Sequence, residues 1–93
     1  MEKTTLSQIT EIKFRTTSIL TYQKDRVSIN ERGLLEKLYE LMDDILLERA
    51  NHPRYSVEEY VDATLIEYSI LFRGSQNSEV KRLGKYIEKG LKW

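Results

Sequence analysis

The chain contains no cysteine, and this absence excludes disulfides, thiolate catalysis and zinc sites built on thiolates. Small proteins that work outside the cell usually depend on disulfides, so we expect a reducing environment. No run of about eighteen apolar residues is present, and residues 1–6 lack the order of charged and apolar residues found in an export signal. We therefore expect a soluble cytoplasmic protein without a transmembrane segment.

An excess of charge of one sign is also missing, because fifteen basic side chains balance fifteen acidic ones. Zero net charge argues against a nucleic-acid binder that works by bulk electrostatics. The distribution is uneven, since residues 31–72 carry four basic and ten acidic side chains, while residues 73–93 carry six basic and two acidic ones. The basic end can bind an acidic partner, or it can fold against the acidic middle of the same chain.

Helix breakers are few and fall between four segments of a single domain, residues 1–93. Polar residues interrupt the pattern near residues 24–28, the only proline is Pro53, and Gly74 opens a polar stretch. Residues 30–47 repeat apolar side chains at helical spacing over four turns. Their opposite side carries an acidic stripe: Glu36, Glu40, Asp43 and Asp44.

Capping residues predict where three of the helices begin and end. The second helix is predicted to begin at Asn30 rather than at Ser28, and the third to begin with Ser56 as its cap. Gly74 is predicted to end the third helix in the left-handed conformation. The fourth helix is predicted from Glu79 to about Leu91 with Ser78 as its cap, and Gly84 and Gly90 weaken it without an evident benefit to the fold.

The segment 6–22 has features of both a helix and a strand. Thr5 and Gln8 form a capping box, and the isoleucines fit one helical face, but the many threonines and isoleucines favour strands. We predict a helix because three helices need a fourth surface to cover them. The expected fold is an all-α, four-helix antiparallel bundle. Its predicted core is Leu38, Leu41, Ile45, Val61, Leu65, Tyr68, Leu83 and Ile87.

No catalytic, cofactor or metal site is expected. The sequence has no glycine-rich phosphate loop, no nucleophile elbow and no histidine-containing triad. Asp44, Glu48 and His52 are four residues apart, but Pro53 disfavours helical geometry at His52, so we interpret them as a solvated helix end.

Two further acids lie on the broadly apolar third helix. For Asp62 and Glu67 we predict pairing with Arg54 or Arg73 rather than catalysis. The expected class is therefore not an enzyme.

Residues 24–72 resemble the ribbon-helix-helix DNA-binding family. Lys24, Arg26 and Ser28 alternate with Val27 and Ile29 as in a strand, and two helices follow. The resemblance implies a dimer whose two-stranded ribbon reads the major groove. The long helix after this strand and the apolar segment before it depart from that family.

Over its whole length the chain looks like the immunity proteins of pediocin-like (class IIa) bacteriocins. The resemblance is one of layout: length, four helices, no cysteine, and a basic last helix with an aromatic tail. It implies a non-enzymatic protein that binds another protein, such as a membrane receptor complex. The candidate recognition residues are Lys81, Lys85, Lys89, Lys92 and Trp93. A subunit of a phage or other assembly is a third interpretation.

Overall fold

The first helix, α1, begins at the capping box that the sequence contains. In the computed structural model, which describes residues 5–51 and 59–90, α1 spans Leu6–Tyr22. The Gln8 backbone N–H donates to the Thr5 hydroxyl over 3.1 Å, and the Thr5 backbone N–H donates to the Gln8 side-chain oxygen over 2.8 Å. The predicted helix is therefore confirmed.

The threonines of α1 do not convert it into a strand. Thr16 is buried, and its hydroxyl donates to the Ile12 carbonyl one turn earlier over 2.7 Å. Thr17 bonds in the same way to the Lys13 carbonyl over 2.8 Å. Hydroxyls satisfied inside the helix allow β-branched residues to line it, so the strand alternative is wrong.

The strand required by the ribbon-helix-helix resemblance does not form. Residues Lys24–Arg26 make a short 3-10 helix, and α2 then spans Ile29–Asn51. The Glu31 backbone N–H donates to the Ser28 hydroxyl over 3.1 Å, so Ser28 caps α2 and the predicted start at Asn30 is wrong. A serine placed to cap a long helix outweighs a short alternation of polar and apolar residues.

The third helix, α3, is described over Glu59–Arg73, and the predicted cap Ser56 lies outside the described residues. No glycine in the described part of the chain has a positive φ, so the predicted left-handed Gly74 is wrong. The turn is instead closed by the Ser75 N–H, which donates to the Phe72 carbonyl over 3.0 Å.

The fourth helix, α4, spans Ser78–Gly90 and is capped by Asn77, not by Ser78 as predicted. The Asn77 side-chain oxygen accepts from the backbone N–H groups of Glu79 and Val80, over 2.9 Å and 3.1 Å. The Asn77 amide also donates to the Arg26 carbonyl over 3.3 Å. The cap therefore joins the start of α4 to the segment that follows α1.

The four helices pack around one core, with α1 in contact with both α2 and α4, and α3 in contact with α4. The Gln8 amide donates to the Gly90 carbonyl over 3.0 Å at one end, and Asn77 meets Gln23 and Arg26 at the other, so α1 and α4 are antiparallel. The predicted core residues are buried except Leu41 and Tyr68, which are partly buried against it. The core also contains Ile9, Ile12, Ile19, Val27, Leu35, Met42, Phe72 and Val80.

Candidate functional site

The α4 helix has one buried face and one basic face. Val80, Leu83 and Ile87 are at most 1 % exposed and face the core. Lys81, Lys85 and Lys89 follow at intervals of four residues and are all exposed. Side chains with this spacing lie in one row along a helix, so the three predicted recognition lysines form a continuous basic stripe.

The basic stripe is not neutralised by neighbouring acids. Glu88 pairs with Arg73 of α3, and Glu79 lies 3.4 Å from the Arg82 guanidinium. Among the residues that the structure describes, no carboxylate lies within 4 Å of the amino groups of Lys81, Lys85 or Lys89. Their positive charge is therefore open to a partner.

The basic stripe is also not folded against the acidic middle of the chain. Glu36 and Glu40 of α2 are exposed, while Asp43 accepts a hydrogen bond from the Lys13 ammonium of α1 over 2.7 Å. This bond to Asp43 raises the pKa of Lys13. Within residues 5–51 and 59–90, the acidic stripe pairs across helices with α1, and no ion pair joins it to α4, contrary to the interpretation that folds the basic end against the acidic middle.

The groove between α1 and α4 holds charged groups that pair with one another. The Arg15 guanidinium lies 4.3 Å from the Tyr86 ring centre, and its Nε lies 3.1 Å from the Glu11 carboxylate. Burial raises the pKa of Tyr86, with a smaller contribution from Glu11. These contacts leave Tyr86 only partly exposed. A depression of about 210 Å³ lies beside them, lined by Glu11, Arg15, Glu79 and Arg82 among others.

The two glycines of α4 serve close packing. A Cβ built at Gly84 would lie 2.7 Å from the Arg73 backbone nitrogen and 2.9 Å from the Phe72 Cβ. A Cβ at Gly90 would lie 2.9 Å from the Gln8 amide nitrogen. Gly84 therefore needs a residue without a side chain, because backbone atoms lie against it, whereas the contact at Gly90 is with the flexible end of Gln8. The expectation that the glycines of α4 bring no benefit to the fold is wrong for Gly84.

Other predicted site residues fall elsewhere. Lys92, Trp93, His52 and Arg54 lie outside the described residues. Asp62 is buried at 1 % exposure, whereas Glu67 is exposed, and Arg73 is bound to Glu88.

No metal site is assembled in residues 5–51 and 59–90, where no group of three histidine or acidic side chains is close enough to hold an ion. In the same ranges, no helix is long and apolar enough to cross a membrane.

One end of the bundle carries a polar depression that the sequence did not indicate. It has a volume of about 480 Å³ and is bordered by Gln23, Arg26, Glu31 and the 74–78 turn. Its location depends on the docking of that turn against the end of α1, and local patterns carry no signal for such docking.

Comparisons with known proteins find no relative of this chain. No protein-family model matches it, and neither a curated protein nor a solved structure matches it.

Proposed function

We propose that this is a small non-enzymatic helical protein that acts in the cytoplasm by binding another protein, as a bacteriocin-immunity-type factor. The observation that supports the proposal best is the basic stripe of α4, with three exposed lysines and no carboxylate within reach among the described residues. The partner then has an acidic surface, as on the cytoplasmic side of a membrane receptor complex.

The physical role of the stripe is to guide and orient the partner. Three lysines in a row cover about 12 Å of α4, since a helix rises about 1.5 Å per residue. Complementary charge mainly raises association rates and favours the correct partner. Lys92 and Trp93 extend the same basic segment, and tryptophan is enriched among residues that dominate binding energy.

The proposal is tested by charge reversal on α4 with a matched change on α2. The chain is expressed in a bacterial strain that is sensitive to a pediocin-like bacteriocin, and survival is measured. We expect wild-type protein to protect, and Lys85→Glu with Lys89→Glu to abolish protection. Lys37→Glu with Arg49→Glu changes charge equally at exposed positions of α2 and is expected to protect.

Thermal melts of both variants establish that each one folds. Protection that is lost equally in both variants, or absent with the wild-type chain, would refute the proposal. Capture of the receptor complex from membranes of the protected strain, with and without the α4 reversal, identifies the partner.

A further inference from the structure

The outer face of α2 carries an acidic stripe that is open to solvent. Glu36, Glu40 and Asp44 follow at intervals of four residues and are all exposed. Within the described ranges, 5–51 and 59–90, no basic group lies within 4 Å of these carboxylates. Asp43, the fourth member of the acidic stripe, already pairs with Lys13 of α1.

The acidic stripe of α2 and the basic stripe of α4 have the same spacing and opposite charge. Lys81, Lys85 and Lys89 cover about 12 Å of helix, as do Glu36, Glu40 and Asp44, and the acidic row continues to Glu48, which has a partner of its own. Both helices turn their apolar faces to the same core, and α1 contacts both of them. Among the described residues no ion pair joins the two stripes, so they do not pair within one molecule.

A second feature of α2 favours the approach of another helix. Gly33 lies one turn before Glu36, and a Cβ built there would have no atom within 4 Å. Glycine inside a helix is destabilising, and the fold has no steric need for it at this position. With Ile29, which is 83 % exposed, it forms a shallow depression of about 370 Å³.

We propose that the acidic stripe of α2 binds the basic stripe of α4 in a second copy of this chain. Because the stripes lie on different helices, two copies can pair both stripes reciprocally in a closed two-fold dimer. Where each copy uses only one stripe per neighbour, one acidic and one basic stripe stay open, and association continues into a chain or closes into a ring.

This self-association is weak and sensitive to salt. Exposed ion pairs contribute little individually, and salt screens them. The lysines involved are those of the proposed function, so a second copy competes with the partner protein. The self-association itself does not depend on that function being correct.

The first experiment measures mass in solution with the purified full chain alone. Sedimentation velocity is recorded over a range of protein concentrations at about 20 mM and about 500 mM salt, which sets the screening length at a large or a small value. We expect the average mass to rise above 11.0 kDa with concentration at low salt, and to return to 11.0 kDa at high salt. A chain that stays at 11.0 kDa under both conditions overturns the proposal.

The second experiment separates the two halves of the contact. One variant combines Glu36→Gln with Glu40→Gln, and the other combines Lys85→Gln with Lys89→Gln. We expect each variant alone to be monomeric and their equimolar mixture to form dimers only, because a single intact contact remains. Self-association of either variant alone would overturn the proposal.

The matched control neutralises two exposed acids outside the stripe. Asp25→Asn with Glu67→Gln changes the net charge as the α2 variant does. We expect this control to associate like the wild-type chain. Equal loss of association in the control would show that net charge, and not the stripe, drives association.

Discussion

At the scale of single residues, two helical glycines have opposite effects on stability. Gly84 lies against the backbone of Arg73, whereas Gly33 has open space around it. We expect Gly84→Ala to destabilise the protein by about 1–3 kcal/mol through overpacking. Gly33→Ala should stabilise it by about 0.5–1 kcal/mol through helix propensity. Urea unfolding of the two variants measures both values, and a gain of stability in both would contradict the close α3–α4 contact.

The raised pKa values of three side chains predict that the free energy of unfolding decreases at high pH. Burial raises the pKa of Tyr68 and Tyr86, and the bond to Asp43 raises the pKa of Lys13. Above about pH 10 the unfolded chain loses these protons before the folded one does, so the folded state binds more protons. The contribution of these three groups to the free energy of unfolding is therefore fully present below about pH 10, and it is lost as the pH rises further.

Tyr86→Phe tests this pH dependence in urea unfolding curves at pH 8 and pH 11. The variant should lose less stability between the two pH values than the wild-type chain, because phenylalanine has no proton to release. Tyr22→Phe, at a position that is 78 % exposed, serves as the control and should behave like the wild-type chain. An unchanged loss in Tyr86→Phe would exclude this ring from the alkaline transition.

At the scale of the helices, capping residues determine where each helix begins more than helix propensity does. Thr5 and Ser28 are recognisable as caps in the sequence, whereas the sequence predicts Ser78 for α4 and the structure has Asn77, the residue directly before it. The choice between two adjacent capping residues depends on the direction of the incoming chain. That direction is decided here by the bond from Asn77 to the Arg26 carbonyl.

Asn77→Ala is therefore expected to destabilise the protein more than Ser78→Ala. Loss of the cap should cost about 0.5–2 kcal/mol, and the link to Arg26 is lost as well. Thermal unfolding followed by circular dichroism compares the two variants. Equal effects of the two substitutions would assign the capping role to Ser78 as much as to Asn77.

At the scale of the whole molecule, one core joins all four helices. Leu38 is fully buried, whereas Leu41, one turn along α2, is only partly buried. Leu38→Ala should cost about 2–5 kcal/mol, and Leu41→Ala clearly less, because a half-open site leaves no closed cavity.

Unfolding by urea, followed by circular dichroism and by tyrosine fluorescence, measures both losses. The two signals should change together in a single transition, since a domain of this size usually unfolds as a unit. Separate transitions would show that the helices do not share one core.

Helical periodicity predicts most of the helices and their buried faces, because it depends only on neighbours three and four residues apart. The spacing of Leu83 and Ile87 against Lys85 and Lys89 already indicated a buried and a basic face of α4. The isoleucines of α1 fit the same periodicity, but the choice of a helix over a strand there rests on three helices needing a fourth surface to cover them. The periodic patterns themselves are local, so the order of residues is enough to establish them.

Relations between helices required the folded chain, because distances between segments far apart in sequence are not encoded in any local pattern. Lys13 binds Asp43 across thirty residues, and Gln8 reaches Gly90 across eighty-two. Gly84 weakens α4 by helix propensity, and only the folded chain shows that the backbone of α3 lies where its side chain would be. For the same reason, only the folded chain shows that no ion pair joins the acidic stripe to the basic stripe among the described residues, so the lysines of α4 remain open to partners.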